Sequence, residues 1–78
     1  MIEKKERVII TFEKTTNVIK AEMLCKEANM PGRVIPVPTA ISAGCGLCFM
    51  TDPSNREMIV MFLKEKGIDY ESIYELIL

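Results

Sequence analysis

Arg7-Val8-Ile9-Ile10-Thr11-Phe12 is the stretch on which the fold turns. Val8, Ile9, Ile10 and Thr11 are β-branched, and the apolar side chains fall on consecutive positions. Alternation would mark a strand that is wet on one face. An unbroken apolar run marks a strand covered on both. This segment reads as a central strand, so the rest of the chain must supply its neighbours and the layers over it.

Working outward, Thr15 and Thr16 are candidate helix caps. Val18, Ala21, Cys25 and Ala28, with Leu24 beside them, recur at helical spacing, and Met30-Pro31-Gly32 is expected to stop that helix. Arg33 to Pro38 alternates as a strand. Pro36 and Pro38 cannot donate to a ladder, which places it at a sheet edge. Thr39 to Gly44 reads as a loop and Gly46 to Thr51 as a second buried strand. Asp52-Pro53 opens the next helix with Pro at a tolerated first position, and Ser54 and Glu57 have capping-box spacing. Met58 to Leu63 is apolar nearly all round, and Lys64-Glu65-Lys66-Gly67 closes the helix with cations and a glycine. A last strand is expected within Ser72 to Ile77. The order β-α-β-β-α-β in 78 residues predicts a single α+β domain over 1–78. Its expected form is a ferredoxin-like split βαβ sandwich, an antiparallel four-stranded sheet with two helices on one face and strand order 4-1-3-2.

So short a chain buries only roughly 60% of its unfolded surface. The sheet face bearing Ile9, Cys48, Met50 and Val37 looks too apolar to stay wet. A homodimer through that open face is therefore an expectation. Net charge is −1 with no basic block, which gives little drive toward nucleic acid or acidic lipid. No apolar run approaches the ~20 residues of a membrane span, and the charged Met1 to Arg7 segment lacks the apolar core of a secretory signal. A cytoplasmic protein is expected, with neither nucleic acid nor membrane as partner.

There are three cysteines and no histidine. An odd count without a signal segment argues against a disulfide framework. Without histidine there is no Ser-His or Cys-His pair within one chain, and the commonest metal ligand is missing. Three scattered cysteines fall short, within one chain, of the four ligands zinc takes, though a dimer could pool them. No metal and no cofactor are expected, and a carrier or binding module is expected before an enzyme.

Chemistry then falls to the thiol of Cys45 in Ser42-Ala43-Gly44-Cys45-Gly46. In this topology the hairpin loop lies at the end of the sheet where the first helix starts. Cys45 should sit near the turn Lys14-Thr15-Thr16-Asn17, whose free N–H groups and helix dipole favour a thiolate. Lys14 is the cation expected nearby. Strand parity puts Cys45 with Leu47 and Phe49 on the helix side, at the rim. Gly44 and Gly46 leave the sulfur approachable and free N–H groups for an anion-binding nest. Cys45-Gly46-Leu47-Cys48 spells CxxC, but it enters a strand, which separates the two residues by roughly 10 Å on opposite faces. A disulfide needs Cα atoms within ~7 Å, so no bond is expected unless Gly46 forms a bulge. Cys48 is a secondary thiol, and Cys25, roughly 13 Å down the first helix, is a core filler.

The run Val34-Ile35-Pro36-Val37-Pro38, then Ile41-Ser42-Ala43-Gly44-Cys45-Gly46-Leu47, resembles the selenium/sulfur carrier-like domains. These small bacterial domains share a Pro-x-Pro strand, a serine and a Cys-Gly-Leu step into a strand. The resemblance spans essentially the whole chain. It implies that Cys45 holds sulfur or selenium as a persulfide or selenopersulfide. A cysteine desulfurase-type donor would load it, and a selenium- or sulfur-accepting enzyme would unload it. The expected binding residues around Cys45 are Ser42, Gly44, Gly46, Lys14 and Thr16. Thr39 stands where many members carry a basic residue, and Cys48 is not part of the pattern. Two other readings stay open. One is a non-enzymatic regulatory, ligand-binding or oligomerisation module with structural cysteines; the other is a redox switch through Cys45 and Cys48.

Overall fold

The computed structural model of the chain describes residues 5–41 and 45–78. Its elements are β1 (Glu6–Thr11), α1 (Thr15–Glu27), β2 (Arg33–Pro36), β3 (Leu47–Thr51), α2 (Arg56–Glu65, entered through a 3-10 turn, Pro53–Asn55) and β4 (Ser72–Ile77). One antiparallel sheet runs β2-β3-β1-β4, the expected order read from the other edge. In the register, Ile10 lies opposite Phe49 and Ile73, and Thr11 opposite Cys48 and Ser72.

The unbroken apolar run of β1 divides between two layers. Val8, Ile10 and Phe12 enter the main core with Val18, Ala21 and Cys25 of α1, Phe49 of β3, and Ile59, Phe62 and Leu63 of α2. Ile9 points the other way, into a smaller cluster with Ile41 and Cys48, flanked by Ile35, Val37, Met50, Leu76 and Leu78. This second cluster corrects the expected open face. Ile9 and Cys48 are at 0% exposure and Ile41 at 8%, because the segment after β2 packs Ile41 onto the sheet. The apolar centre of that face is covered within one chain, so it no longer calls for a second chain there.

The helix ends differ from the local cap signals. Lys14, with extended backbone, is the N-cap of α1 and no side chain caps it. Thr15 and Thr16 thus fall inside the first turn and cap nothing. At the far end Asn29 adopts φ 57°. Its N–H donates to Lys26 O (3.1 Å), and the Met30 N–H donates to Cys25 O (2.8 Å). These are the paired bonds of a Schellman ending, so the helix stops before Met30-Pro31-Gly32, and Ala28 is an exposed C-cap rather than a core residue.

The Ser54–Glu57 capping box does not form. Asp52 and Asn55 occupy the two N-cap positions without side-chain caps. The Asp52 carboxylate accepts from Arg7 Nη1 at 2.8 Å, and the Asn55 amide donates to Thr51 Oγ1 at 3.4 Å. α2 closes at Gly67, φ 69°. Gly67 N–H donates to Lys64 O (3.1 Å) and Ile68 N–H to Leu63 O (2.9 Å), the glycine ending that Lys64-Glu65-Lys66-Gly67 predicts.

Candidate functional site

The site is built on the β2–β3 hairpin. Pro36 pairs with Leu47, and the Val37 N–H donates to Gly46 O at 3.0 Å, adding a rung beyond the strands. Gly46 has φ 80°, while a Cβ there would meet nothing within 4 Å. Glycine is required at this position for its backbone angle, not for space. The left-handed residue turns the chain as it enters β3 and sets Cys45 at the rim. Cys45 is half-buried and packs with Leu47 against the helix-side core, the face that strand parity predicts. Its Sγ donates to Leu47 O at 3.2 Å. Ser42 and Gly44 lie outside the described residues, so of the expected nest only Gly46 is described.

Cys48 lies on the opposite face. It is fully buried, and its Sγ donates to Ile35 O at 3.6 Å. Burial pushes its thiol up to about 11, with the nearby Cys45 charge adding to the rise. Burial also raises Cys25, which sits in the main core at 2% exposure. All three cysteines are free thiols. At neutral pH the two buried ones are held protonated, and a thiol in that state is a poor nucleophile.

The turn at the start of α1 shares an end of the sheet with Cys45. Thr11 lies opposite Cys48, so the chain past Thr11 runs beside the approach to β3. The polar contacts of the turn go the other way. Asn17 Nδ2 donates to Asp69 O at 3.3 Å, and Lys14 lines a cleft with Glu13, Asn17, Asp69 and Tyr70. Cys45 is not in its lining, and Thr16 is exposed on the first turn of α1. The structure brings together Cys45, Gly46 and Leu47, and directs Lys14 toward the chain leading into β4.

One concave region had no signal in the sequence. Arg7, Gly32, Arg33, Asp52 and Asn55 line a cleft of about 220 Å³ at the opposite end of the sheet from Cys45. Arg7 and Arg33 are distant in the chain and meet because β1 and β2 both flank β3. Arg7 is already paired with Asp52, so the net charge of the lining is that of Arg33. Among the described residues no group of three or more His, Cys, Asp or Glu is placed to hold a metal ion. No helix among them is long and apolar enough to cross a membrane.

The family model described as "Putative Se/S carrier protein-like" matches residues 7–75. The chain belongs to this family. The match runs from β1 into β4 and includes the hairpin with Cys45, so the family expected from the Pro36 to Leu47 stretch is the family found. Its description speaks of a carrier for selenium or sulfur. No curated protein and no solved structure matches the chain.

Proposed function

We propose that this Se/S carrier-like protein holds one sulfur or selenium atom on the Sγ of Cys45 and passes it between a donor and an acceptor enzyme. The observation that carries this reading is the contrast among the three thiols. Cys25 and Cys48 are at 2% and 0% exposure, while Cys45 alone is partly exposed, at a rim and beside a glycine. A cargo atom needs a sulfur that two partner sites can reach in turn.

The chemistry balances without an added oxidant. A desulfurase-type donor presents a persulfide, and the Cys45 thiolate attacks its outer sulfur. The donor's S–S bond breaks and its thiolate leaves. A new S–S bond forms on Cys45, and the transferred sulfur keeps its oxidation state. Before attack, Cys45 must give up the proton it shares with Leu47 O. Unloading repeats the step with an acceptor thiolate attacking the outer atom. Selenium follows the same course as a selenopersulfide.

The test is intact mass after incubation with a cysteine desulfurase and free cysteine. A gain of about 32 Da for sulfur, or about 80 Da for selenium supplied through selenocysteine, is expected on the native chain and on Cys48→Ala. It is lost in Cys45→Ser. An adduct that survives Cys45→Ser, or no adduct on the native chain, overturns the proposal.

A further inference from the structure

The cleft at the end of the sheet away from Cys45 is assembled by strand register. Ile9 lies opposite Met50, and Met50 lies opposite Arg33. Cross-strand partners share a face, so Arg33 projects on the side of Ile9 and Met50, away from the helices. Arg7 stands two residues before Ile9 and takes the same side by alternation. Guanidinium groups from the strands on either side of β3 therefore flank Met50 on one face, and both line the cleft.

The two arginines differ in state. Arg7 Nη1 donates to the Asp52 carboxylate at 2.8 Å, with 26% of the arginine side chain exposed. That pair fixes where the guanidinium sits and leaves its other N–H donors open. Among the described residues the ion pairs are Arg7–Asp52 and Arg56–Glu75, so Arg33 brings a charge that no acid there balances. Thr51 Oγ1 is already engaged: it donates to Pro31 O at 3.0 Å and accepts from Asn55 Nδ2 at 3.4 Å. The cleft thus combines one unbalanced positive charge, spare N–H donors on both arginines, and apolar surface from Pro31 and Met50.

These features select a ligand. A carboxylate presents two oxygens to a guanidinium fork, and it carries the single charge that Arg33 leaves unbalanced. A doubly charged phosphate would set an extra negative charge beside the Asp52 carboxylate. Pro31 and Met50 give the carbon chain of an organic acid a place to lie and offer inorganic phosphate nothing. The volume of about 220 Å³ holds roughly seven non-hydrogen atoms, at the ~30 Å³ that a water occupies in the liquid. We propose that this cleft binds a small aliphatic carboxylate, with its charged end on Arg33 and Arg7 and its chain along Met50 and Pro31. The site shares no residue with the Cys45 rim, so it stands whether or not Cys45 carries an atom.

Titration of the native chain with pentanoate, which fills that volume, tests it by two-dimensional NMR at constant ionic strength. Saturable shifts are expected at the Arg33 and Arg7 side-chain N–H groups and at the Met50 methyl, with a dissociation constant on the order of 1 mM. Pentanol keeps the chain without the charge, and inorganic phosphate keeps charge without the chain. Each should bind at least about tenfold more weakly than pentanoate. Arg33→Gln should weaken pentanoate at least about tenfold, and Arg33→Lys, which keeps the charge but not the fork, should weaken it less. Arg33 is exposed at the start of β2, and amide dispersion checks the fold of both variants. No saturable shift with pentanoate, equal affinity for pentanol or phosphate, or an affinity indifferent to Arg33→Gln overturns the proposal.

Discussion

At Gly32 the backbone runs so close to the Phe49 ring that a methyl group has no room. A Cβ there would lie 2.4 Å from Phe49 Cε2 and 3.0 Å from Met50 O, and φ is 146°. Phe49 is at 1% exposure in the main core, so its ring cannot swing aside without moving α1 or β1. Gly32→Ala should therefore cost roughly 2–3 kcal/mol, combining overpacking with a strained backbone. Chemical unfolding checks this, and a change below about 0.5 kcal/mol would show that the contact relaxes freely. In the sequence this glycine reads as part of a helix stop. Its contact with Phe49 spans two strands, and no local pattern carries it. Cys45 is different: its flanking glycine and its place before an apolar run are both local, and the residue's face and rim position follow from them. The neighbours expected around it were less legible, because Lys14 and Asn17 line a cleft with Asp69 and Tyr70, which lie far along the chain.

The elements themselves were well marked. β4 coincides with the expected Ser72 to Ile77, and the unbroken apolar run of β1 correctly required cover on two faces. Helix starts were less legible: α1 begins one residue earlier than its threonines suggest, with Lys14 at the cap. Cap propensity is a local preference, and at Asp52 a distant partner takes the capping group: Arg7 holds its carboxylate. Helix ends obey local rules more closely. Gly67 and Asn29 both hold left-handed backbone at the C′ position of Schellman endings. Asparagine tolerates that conformation because its short side chain can bond locally, whereas alanine does not. Asn29→Ala should lower stability by about 1 kcal/mol, and Asn29→Gly should leave it unchanged or raise it. Urea midpoints of the two variants should move to opposite sides of one another. Equal midpoints would mean that the residue is not held in that conformation in solution.

For the whole molecule, the two buried thiols tie stability to alkaline pH. Burial raises Cys48 to about 11 and raises Cys25 as well. In the unfolded chain a thiol titrates near its ordinary value, 9.0. Below that value both states keep their protons and the stabilisation is complete. Between that value and about 11 the unfolded chain releases protons that the folded chain retains, so stability falls as pH rises. Cys48 accounts for about 2–3 kcal/mol of that loss, since a tenfold difference in proton affinity between the two states is worth about 1.4 kcal/mol. Unfolding free energies at pH 7, 9 and 10.5 should decline along this course, and Cys48→Ala should show a shallower decline from a lower start. A slope unchanged by Cys48→Ala would place the titrating group elsewhere. The cover that Ile41 gives Cys48 was not visible in the sequence, because a loop's resting place is set by the surface it meets.

That cover also governs how long a delivered atom survives. A persulfide is discharged when a neighbouring thiolate attacks its inner sulfur and expels hydrosulfide, leaving an internal disulfide. The thiol closest in sequence to Cys45 is walled off behind the sheet and keeps its proton. The chain has no ready means of spoiling its own cargo, and the moment of release is left to the visitor that docks at the rim.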